Sequence, residues 1–138
     1  MKTLAVAAAL IIKGGRILVA QREKNDEWGL YWEFPGGTLE EDEGPQECIK
    51  RELREELGIE VEVEEIREAA FKRYEGFNIL LLAYHCTITE GTPSAIRCRE
   101  VRWVGKEELK GLPMPPADEE MRANILQRGG GLWDLDAA

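Results

Sequence analysis

Apolar and β-branched residues occur in short blocks along the first third of the chain, and these blocks predict strands. Residues 3–13 read as a buried strand, the glycine pair at 14–15 suits a two-residue turn, and residues 16–22 return as a second strand. These segments together predict a β-hairpin. A short extended piece over residues 32–34 follows a polar loop and is expected to stop at the Pro-Gly-Gly sequence 35–37.

Helical signals are clearest over residues 45–57. Proline at the first position suits a helical first turn, and Glu47 complements the positive end of the helix dipole. Gly58 is placed as a C-terminal stop signal. These signals predict a helix with both ends defined by the sequence itself.

The rest of the chain alternates strand and helix patterns. In chain order they predict strands over residues 60–74, 77–89 and 101–104, one helical turn over 106–109, and a helix over 118–127. The last helix turns Met121, Ile125 and Leu126 inward. Mixed strands with two helices predict the α/β (α+β) class and an α/β/α sandwich. We expect one domain over residues 1–128 and a loose, Gly-rich tail over 129–138.

Composition and charge limit the partners. The 138 residues carry 18 Lys and Arg against 27 Asp and Glu, a net charge of -9 that disfavours binding to a nucleic-acid polymer. The longest apolar run, residues 4–12, is about half of the roughly 20 residues that a membrane span needs. With no export signal, we expect a cytoplasmic protein whose three cysteines stay reduced. One histidine and scattered cysteines disfavour a zinc site.

Three glutamates share one face of the first predicted helix. Glu52, Glu55 and Glu56 lie at i,i+3 and i,i+4 spacings, within an arc of roughly 100°. Like charges so close together repel, and a cation relieves the repulsion. Oxygen ligands of this kind suit Mg²⁺, with Mn²⁺ as a possible substitute. An acidic helix face that is only solvated surface is the plainer alternative.

The spacing of Gly, Glu and Arg residues around this helix favours the functional alternative. The chain matches in full the pattern Gly-x5-Glu-x7-Arg-Glu-U-x-Glu-Glu-x-Gly-U, where U is aliphatic, with Gly37, Glu43, Arg51, Glu52, Glu55, Glu56, Gly58 and Ile59. In this segment the chain resembles the Nudix hydrolases. The preceding residues 32–37 and the loop 112–118 resemble the MutT-like branch of that family, so the resemblance covers nearly the whole chain.

The resemblance implies a fold, a reaction and a set of ligands. It implies the Nudix α/β/α sandwich, with a mixed β-sheet and a catalytic loop-helix-loop, and a hydrolase acting on a nucleoside diphosphate linked to a further group. Metal ligands would be Glu52, Glu55, Glu56 and the backbone carbonyl of Gly37. Arg51 would orient a ligand carboxylate, and Glu43 would be mainly structural. For the residue that takes the proton of the attacking water, Glu52 and Glu100 are both candidates.

Three further residues are candidates for substrate binding. Arg22 resembles an arginine that contacts substrate in the MutT-like branch, although a plain surface charge is the alternative. Glu33 lies next to the motif and suits a metal, substrate or structural contact. Asp118 is the specificity candidate, because an ionised aspartate accepts hydrogen bonds from a base that presents N–H donors, such as cytosine or guanine. The alternative is that Asp118 caps the last helix, although a capping residue can also face the pocket. Several aromatic residues suit either base stacking or core packing: Trp28, Phe71, Tyr74 and Phe77.

The sequence therefore predicts a MutT-like, Mg²⁺-dependent pyrophosphohydrolase of nucleoside triphosphates such as 8-oxo-dGTP or CTP. The product would be a nucleoside monophosphate with pyrophosphate, and the protein would be a monomer or homodimer acting on a small-molecule nucleotide. Two alternatives remain: a Nudix hydrolase of ADP-ribose or dinucleoside polyphosphates, and a nucleotide-binding domain without turnover.

Overall fold

The computed structural model describes residues 1–135 and contains two β-sheets, one mixed and one antiparallel, flanked by helices. The elements are β1 (Lys2–Leu10), β2 (Ile12–Lys13), β3 (Arg16–Gln21), β4 (Trp32–Glu33), β5 (Gly36–Thr38), α1 (Pro45–Leu57), β6 (Glu60–Tyr74), β7 (Phe77–Glu90), β8 (Glu100–Val104), α2 (Lys106–Lys110), α3 (Pro116–Arg128) and a 3₁₀ helix (Gly130–Asp134). One sheet has the order β5-β1-β7-β6, and β1 and β7 pair in parallel. The second sheet joins β2, β3 and β4, with β8 paired to β3.

The second half of β1, residues 7–10, is buried on both faces, which explains why it is apolar at every position. Ala7 and Ala9 face the core that α1 covers through Ile49, Leu53 and Leu57. The alternating residues Ala8 and Leu10 face a second core, which α3 covers through Met121 and Ile125, with Leu126 partly buried beside them. The predicted α/β/α sandwich with a mixed sheet is confirmed.

Helix α1 has the predicted bounds, and its ends are held as the sequence indicates. The amide of Gly44 donates to the Glu47 carboxylate at 2.9 Å, and Pro45 occupies the first turn. At the other end, Gly58 adopts the left-handed conformation with φ 69°, and its amide donates to the carbonyls of Leu53 and Arg54. Both ends of α1 are therefore held in place, which fixes the backbone of its glutamates.

Two strand predictions need correction. The first strand of the predicted hairpin is split at Ile11: β1 belongs to one sheet, and only β2 pairs with β3 across the turn at 14–15. The second correction concerns the Pro-Gly-Gly sequence: the extended piece ends before it as predicted, but a further strand that was not predicted begins within it. Gly36 begins β5, which pairs antiparallel with Ala7 and Ala8 of β1, because the absence of a side chain at Gly36 lets the two backbones approach.

The prediction of a loose tail is wrong for residues 130–134. Gly129 donates to the carbonyl of Ile125 at 2.9 Å, and this turn carries Leu132 and Trp133 into the core beneath α3. Burial of two large apolar side chains outweighs the flexibility of the glycine run. Residues 136–138 of the predicted tail lie outside the described residues, and the division at residue 128 stays a prediction. None of the helices described in residues 1–135 is both long and apolar enough to span a membrane.

Candidate active site

A cavity of about 390 Å³ opens between β1, the β4–β5 segment, α1 and the start of α3. Gly37, on β5, lines one side together with Glu52 and Glu56 of α1. Tyr74 and Phe77, from β6 and β7, line the other side. Since β1 and β7 separate β5 from β6 and neighbouring strands lie about 4.8 Å apart, the cavity has an acidic end and an aromatic end. Its volume is within the range of small-molecule sites, roughly 300–1,000 Å³.

The three glutamates of α1 do not all face this cavity. Glu52 and Glu56 line it, whereas the Glu55 side chain is 41% exposed and lies 3.5 Å from Arg51 and 3.8 Å from Arg97. Within residues 1–135, no three acidic, histidine or cysteine side chains already converge as a metal site. The structure therefore brings together two of the three predicted carboxylate ligands.

Electrostatics show how this end of the cavity would accommodate a cation. Burial raises the pKa of Glu56 to about 8, and the charges of Glu52 and Glu33 add to the effect. Burial also raises the pKa of Glu52. Carboxyl groups whose ionised forms are disfavoured by burial and by one another are stabilised as carboxylates by a divalent cation. The oxygen donors of Glu52, Glu56 and Gly37 thus fit a hard ion such as Mg²⁺.

Gly37 lies directly against the Glu52 carboxylate. A Cβ atom at position 37 would collide with that carboxylate, so only glycine leaves room for it. The Gly37 carbonyl accepts a hydrogen bond from the Cys48 thiol at 3.3 Å. The fold therefore places Gly37 beside the carboxylate helix, and the role of its carbonyl as a metal ligand stays a prediction.

Arg51 holds two glutamates at once. Its Nε and Nη2 donate to Glu43 at 2.6 and 2.9 Å, and its Nη1 donates to Glu52. The hydrogen bonds from Arg51 lower the pKa of Glu43 to about 2. A carboxylate that is fixed on one oxygen by a planar guanidinium has few rotamers left, so Arg51 orients Glu52 toward the cavity.

Arg22 is the cationic side chain among the residues that line the cavity. Its Nη1 donates to Glu33 at 2.7 Å, and its Nε donates to the backbone carbonyl of Glu27 at 2.7 Å. Burial raises the pKa of Glu33, while the charge of Arg22 opposes that shift. The predicted substrate candidates Arg22 and Glu33 thus lie together at the cavity wall as an ion pair.

Asp118, the predicted specificity residue, also lines the cavity. Its Oδ2 accepts a hydrogen bond from the backbone amide of Phe34 at 3.0 Å. Burial, with the charge of Glu33, raises the pKa of Asp118 to about 8. The sequence argument treated this group as an ionised acceptor; the raised pKa favours a protonated carboxyl near neutral pH, which would offer a donor as well as an acceptor, and the role of Asp118 stays a prediction. Helix α3 begins before it, with Pro115 at the N-cap.

Glu100, the alternative candidate base, is placed elsewhere. It lies on β8, where its carboxylate pairs with Arg102 at 2.9 Å, and it is absent from the lining of the cavity. Of the two candidates for the base, Glu52 is the one that the fold brings to the cavity. The role of either residue stays a prediction.

The aromatic candidates divide in the same way. Trp28, Tyr74 and Phe77 line the cavity, whereas Phe71 is 46% exposed on β6 and does not. Sequence reasoning missed the backbone groups that hold the site, namely the amide of Phe34 and the carbonyl of Glu27. Backbone atoms are common to every residue type, so no sequence signal could have identified them.

Comparison with known proteins decides the family. A family model described as NUDIX domain matches residues 7–124. The chain belongs to the Nudix family. This Nudix chain is 40% identical over 118 residues to the CTP pyrophosphohydrolase of Escherichia coli (strain K12), a match that covers 86% of the chain and 87% of the relative.

Two further similarities agree with this result. The Nudix chain is 33% identical over 132 residues to the putative 8-oxo-dGTP diphosphatase 2 of Mycobacterium tuberculosis (strain ATCC 25618 / H37Rv), with 91% of the chain and 90% of the relative covered. The crystal structure of a MutT Nudix hydrolase from Burkholderia pseudomallei has a TM-score of 0.80 at 23% identity, covering 91% of this chain and 99% of that one. The predicted fold and the predicted place in the MutT-like branch of Nudix hydrolases are confirmed.

Proposed function

We propose that this Nudix hydrolase cleaves nucleoside triphosphates to nucleoside monophosphate and pyrophosphate, with Mg²⁺ as its cofactor and Mn²⁺ as a possible substitute. The observation that carries the proposal is a single cavity whose acidic end holds Glu52 and Glu56 and whose other end is lined by Tyr74, Phe77 and Asp118. A nucleoside triphosphate has a polyphosphate at one end and an aromatic base at the other, so its site needs a metal-binding surface and an aromatic surface in one cavity.

The acidic end of the cavity is where we place the metal ion. A bound divalent cation would supply charge neutralisation for the polyphosphate and polarise the attacking water. Glu52, Glu56 and the carbonyl of Gly37 would hold that cation, and Arg51 keeps Glu52 in place through Nη1. Glu55, which is more exposed, would join the ligand set on the rim.

Proton transfer and phosphate binding fall to the neighbouring residues. Glu52 lies in the cavity and is our candidate for accepting the proton of the attacking water, ahead of Glu100. Arg22 offers a guanidinium at the wall, held by Glu33 and by the carbonyl of Glu27, and suits contact with phosphate oxygens. This arrangement stabilises charge without a covalent intermediate.

Asp118 is our candidate for recognising the base. Relatives of this chain are named for CTP and for 8-oxo-dGTP, and both bases carry an N–H donor beside an acceptor on one edge. The neutral carboxyl of Asp118 offers the complementary pair of groups. We expect a preference for one of these two triphosphates.

The net charge and the free cysteines bear on where the enzyme acts and on what it binds. A net charge of -9 disfavours nucleic-acid polymers, and three free cysteines suit a reducing cytoplasm. We propose a cytoplasmic monomer or homodimer that acts on free nucleotides away from membranes.

The experiment is product analysis on a panel of ordinary and oxidised nucleoside triphosphates, ADP-ribose and diadenosine polyphosphates, each with Mg²⁺ and with chelator. We expect chelator-sensitive conversion of a triphosphate, CTP or 8-oxo-dGTP foremost, to monophosphate and pyrophosphate. Turnover restricted to ADP-ribose or a dinucleotide would contradict the proposed substrate class. No turnover of any compound would leave a nucleotide-binding domain and overturn the proposed reaction.

A further inference from the structure

The N-terminus of α3 lacks the usual side-chain cap. Pro115 occupies the N-cap position and has no acceptor on its side chain, and Pro116 has no amide hydrogen. Ala117 is therefore the first residue of α3 whose amide needs an acceptor. Such an amide usually binds a Ser, Thr, Asp or Asn side chain from the residues just before the helix.

That acceptor comes instead from another part of the fold. The hydroxyl oxygen of Tyr74, the last residue of β6, accepts the Ala117 amide at 2.9 Å. The Tyr74 ring stacks on Phe77 across the β6–β7 turn, with centroids 5.0 Å apart and an interplanar angle of 12°. The β6–β7 hairpin thus both lines the aromatic end of the cavity and caps α3.

The capped turn of α3 carries Asp118, our candidate for recognising the base. Asp118 follows Ala117 directly, and its carboxyl is bound on the other side by the amide of Phe34 at 3.0 Å. Two hydrogen bonds therefore hold one turn of α3: the Tyr74 hydroxyl at the end of β6 accepts from the Ala117 amide, and the Phe34 amide between β4 and β5 donates to the Asp118 side chain. Small displacements of a hydrogen-bonding group change discrimination between substrates more than they change folding.

We propose that Tyr74 is a positioning residue that fixes Asp118 in the cavity through the Ala117 amide and so sets the base preference of the enzyme. This inference rests on the proposed function. Packing of the Tyr74 ring on Phe77 needs only an aromatic side chain, whereas the positioning role needs the hydroxyl. Tyr74→Phe separates the two, because it keeps the ring and removes the acceptor.

The first test compares kcat/KM for CTP against UTP and for 8-oxo-dGTP against dGTP, since each pair differs only in the base. In the pair that the wild type discriminates, we expect Tyr74→Phe to reduce the ratio about fivefold. Tyr84→Phe, at a partly buried tyrosine that packs on the α1 side of the sheet, is the matched control. An unchanged ratio in Tyr74→Phe, or a wild type that discriminates neither pair, would overturn the proposal.

A double-mutant cycle tests the route through Asp118. If Tyr74 acts by placing Asp118, the loss of discrimination in Tyr74→Phe should disappear, to within about twofold, when Asp118→Asn is already present. Fully additive losses would show that Tyr74 acts on the base by some other path and would overturn the positioning role. A variant that only loosened the fold would weaken all substrates alike and leave both ratios unchanged.

Amide hydrogen exchange separates this proposal from the proposed function. We expect the Ala117 amide to exchange at least about tenfold faster in Tyr74→Phe, while the Gly129 amide at the far end of α3 keeps its rate. If the wild type hydrolyses no triphosphate, the proposed function fails on that result, yet the exchange rates still report on the cap. Unchanged exchange at Ala117 would overturn the cap itself.

Discussion

Asp118 is a half-buried carboxyl group at the cavity wall, next to another acidic residue. Its neighbours are the amide of Phe34, which donates to Oδ2, and the carboxylate of Glu33, whose charge opposes ionisation. The single guanidinium of Arg22 lies nearby but is committed to Glu33 at 2.7 Å. At the residue scale, the site stores unfavourable electrostatic energy in its carboxylates, which substrate and metal can relieve.

The raised pKa of Asp118 makes a prediction about stability and pH. Its value of about 8 in the folded protein lies above the ordinary 3.8, so unfolding releases a proton between these limits. The free energy of unfolding should therefore fall as pH rises from about 4 to 8, and Asp118→Asn should lack this contribution. Between pH 5 and pH 8.5, urea denaturation should show the free energy of unfolding of wild type falling by at least about 1 kcal/mol more than that of Asp118→Asn.

The exposed Asp42, changed to Asn, is the matched control for this measurement. A difference between Asp118→Asn and wild type that is the same at both pH values would mean that Asp118 is ionised in the folded protein. The sequence-based interpretation of Asp118 as a charged acceptor would then be the better one.

Helix α1 is held at its C-terminus by a segment that the sequence does not mark. The amides of Ile96 and Arg97 both donate to the Glu56 carbonyl, at 3.0 and 3.1 Å, and the Ser94 amide donates to the Leu57 carbonyl at 3.1 Å. These carbonyls would otherwise lack partners at a helix end. At the element scale, the segment 94–97 fixes the backbone of a residue that we assign to metal binding.

Gly58 tests this contact between α1 and the segment. A Cβ atom at Gly58 would lie 2.8 Å from Cδ1 of Ile96, in a residue with φ +69°. Gly76 has φ +89° but open space around it, so Gly76→Ala carries only the backbone strain. Chemical denaturation should show Gly58→Ala to be less stable than Gly76→Ala by about 0.5–1 kcal/mol, a small difference because Ile96 is 56% exposed and its terminal carbon can move partly aside. Equal losses would mean that Ile96 does not press on the helix end.

The sequence predicts those features of a helix or strand that depend on neighbouring residues, and it misses those that depend on residues far away in the chain. The bounds of α1 depend on Pro45, Glu47 and Gly58, which act locally, so they were predicted correctly. The break at Ile11 was missed because both pieces of the strand are equally apolar, and only the pairing partners differ. The spacing of the glutamates placed three carboxylates on one face, but it could not show that Glu55 turns toward Arg97.

The parts of the site that the sequence did not predict depend on contacts between residues far apart in the chain. Phe34 and Asp118 are 84 residues apart and meet through a backbone amide. Tyr74 and Ala117 are 43 residues apart and meet in the same way. Such contacts depend on the packing of α3 against the sheet, which residue type and spacing do not specify.

The whole molecule carries a net charge of -9, and it must bind a substrate that is itself an anion. Repulsion of an anionic substrate is greatest at the cavity, which within residues 1–135 is lined by several acidic residues and by one cationic side chain, that of Arg22. These acidic residues include Glu33, Glu52, Glu56 and Asp118. A divalent cation converts the acidic end from a repulsive to an attractive surface for phosphates. The central claim is therefore that the carboxylates of α1 act on the substrate through a metal.

The most direct measurement of this claim is pyrophosphate release from CTP and 8-oxo-dGTP by wild type and Glu56→Gln over a range of Mg²⁺ concentrations. Circular dichroism and thermal unfolding would establish that the variant is folded, and Glu41→Gln, at an exposed residue before α1, is the control. We predict that Glu56→Gln lowers kcat by roughly a hundredfold or more, because loss of a metal ligand removes several kcal/mol of transition-state stabilisation. A folded Glu56→Gln protein with wild-type turnover and an unchanged Mg²⁺ requirement would contradict the account.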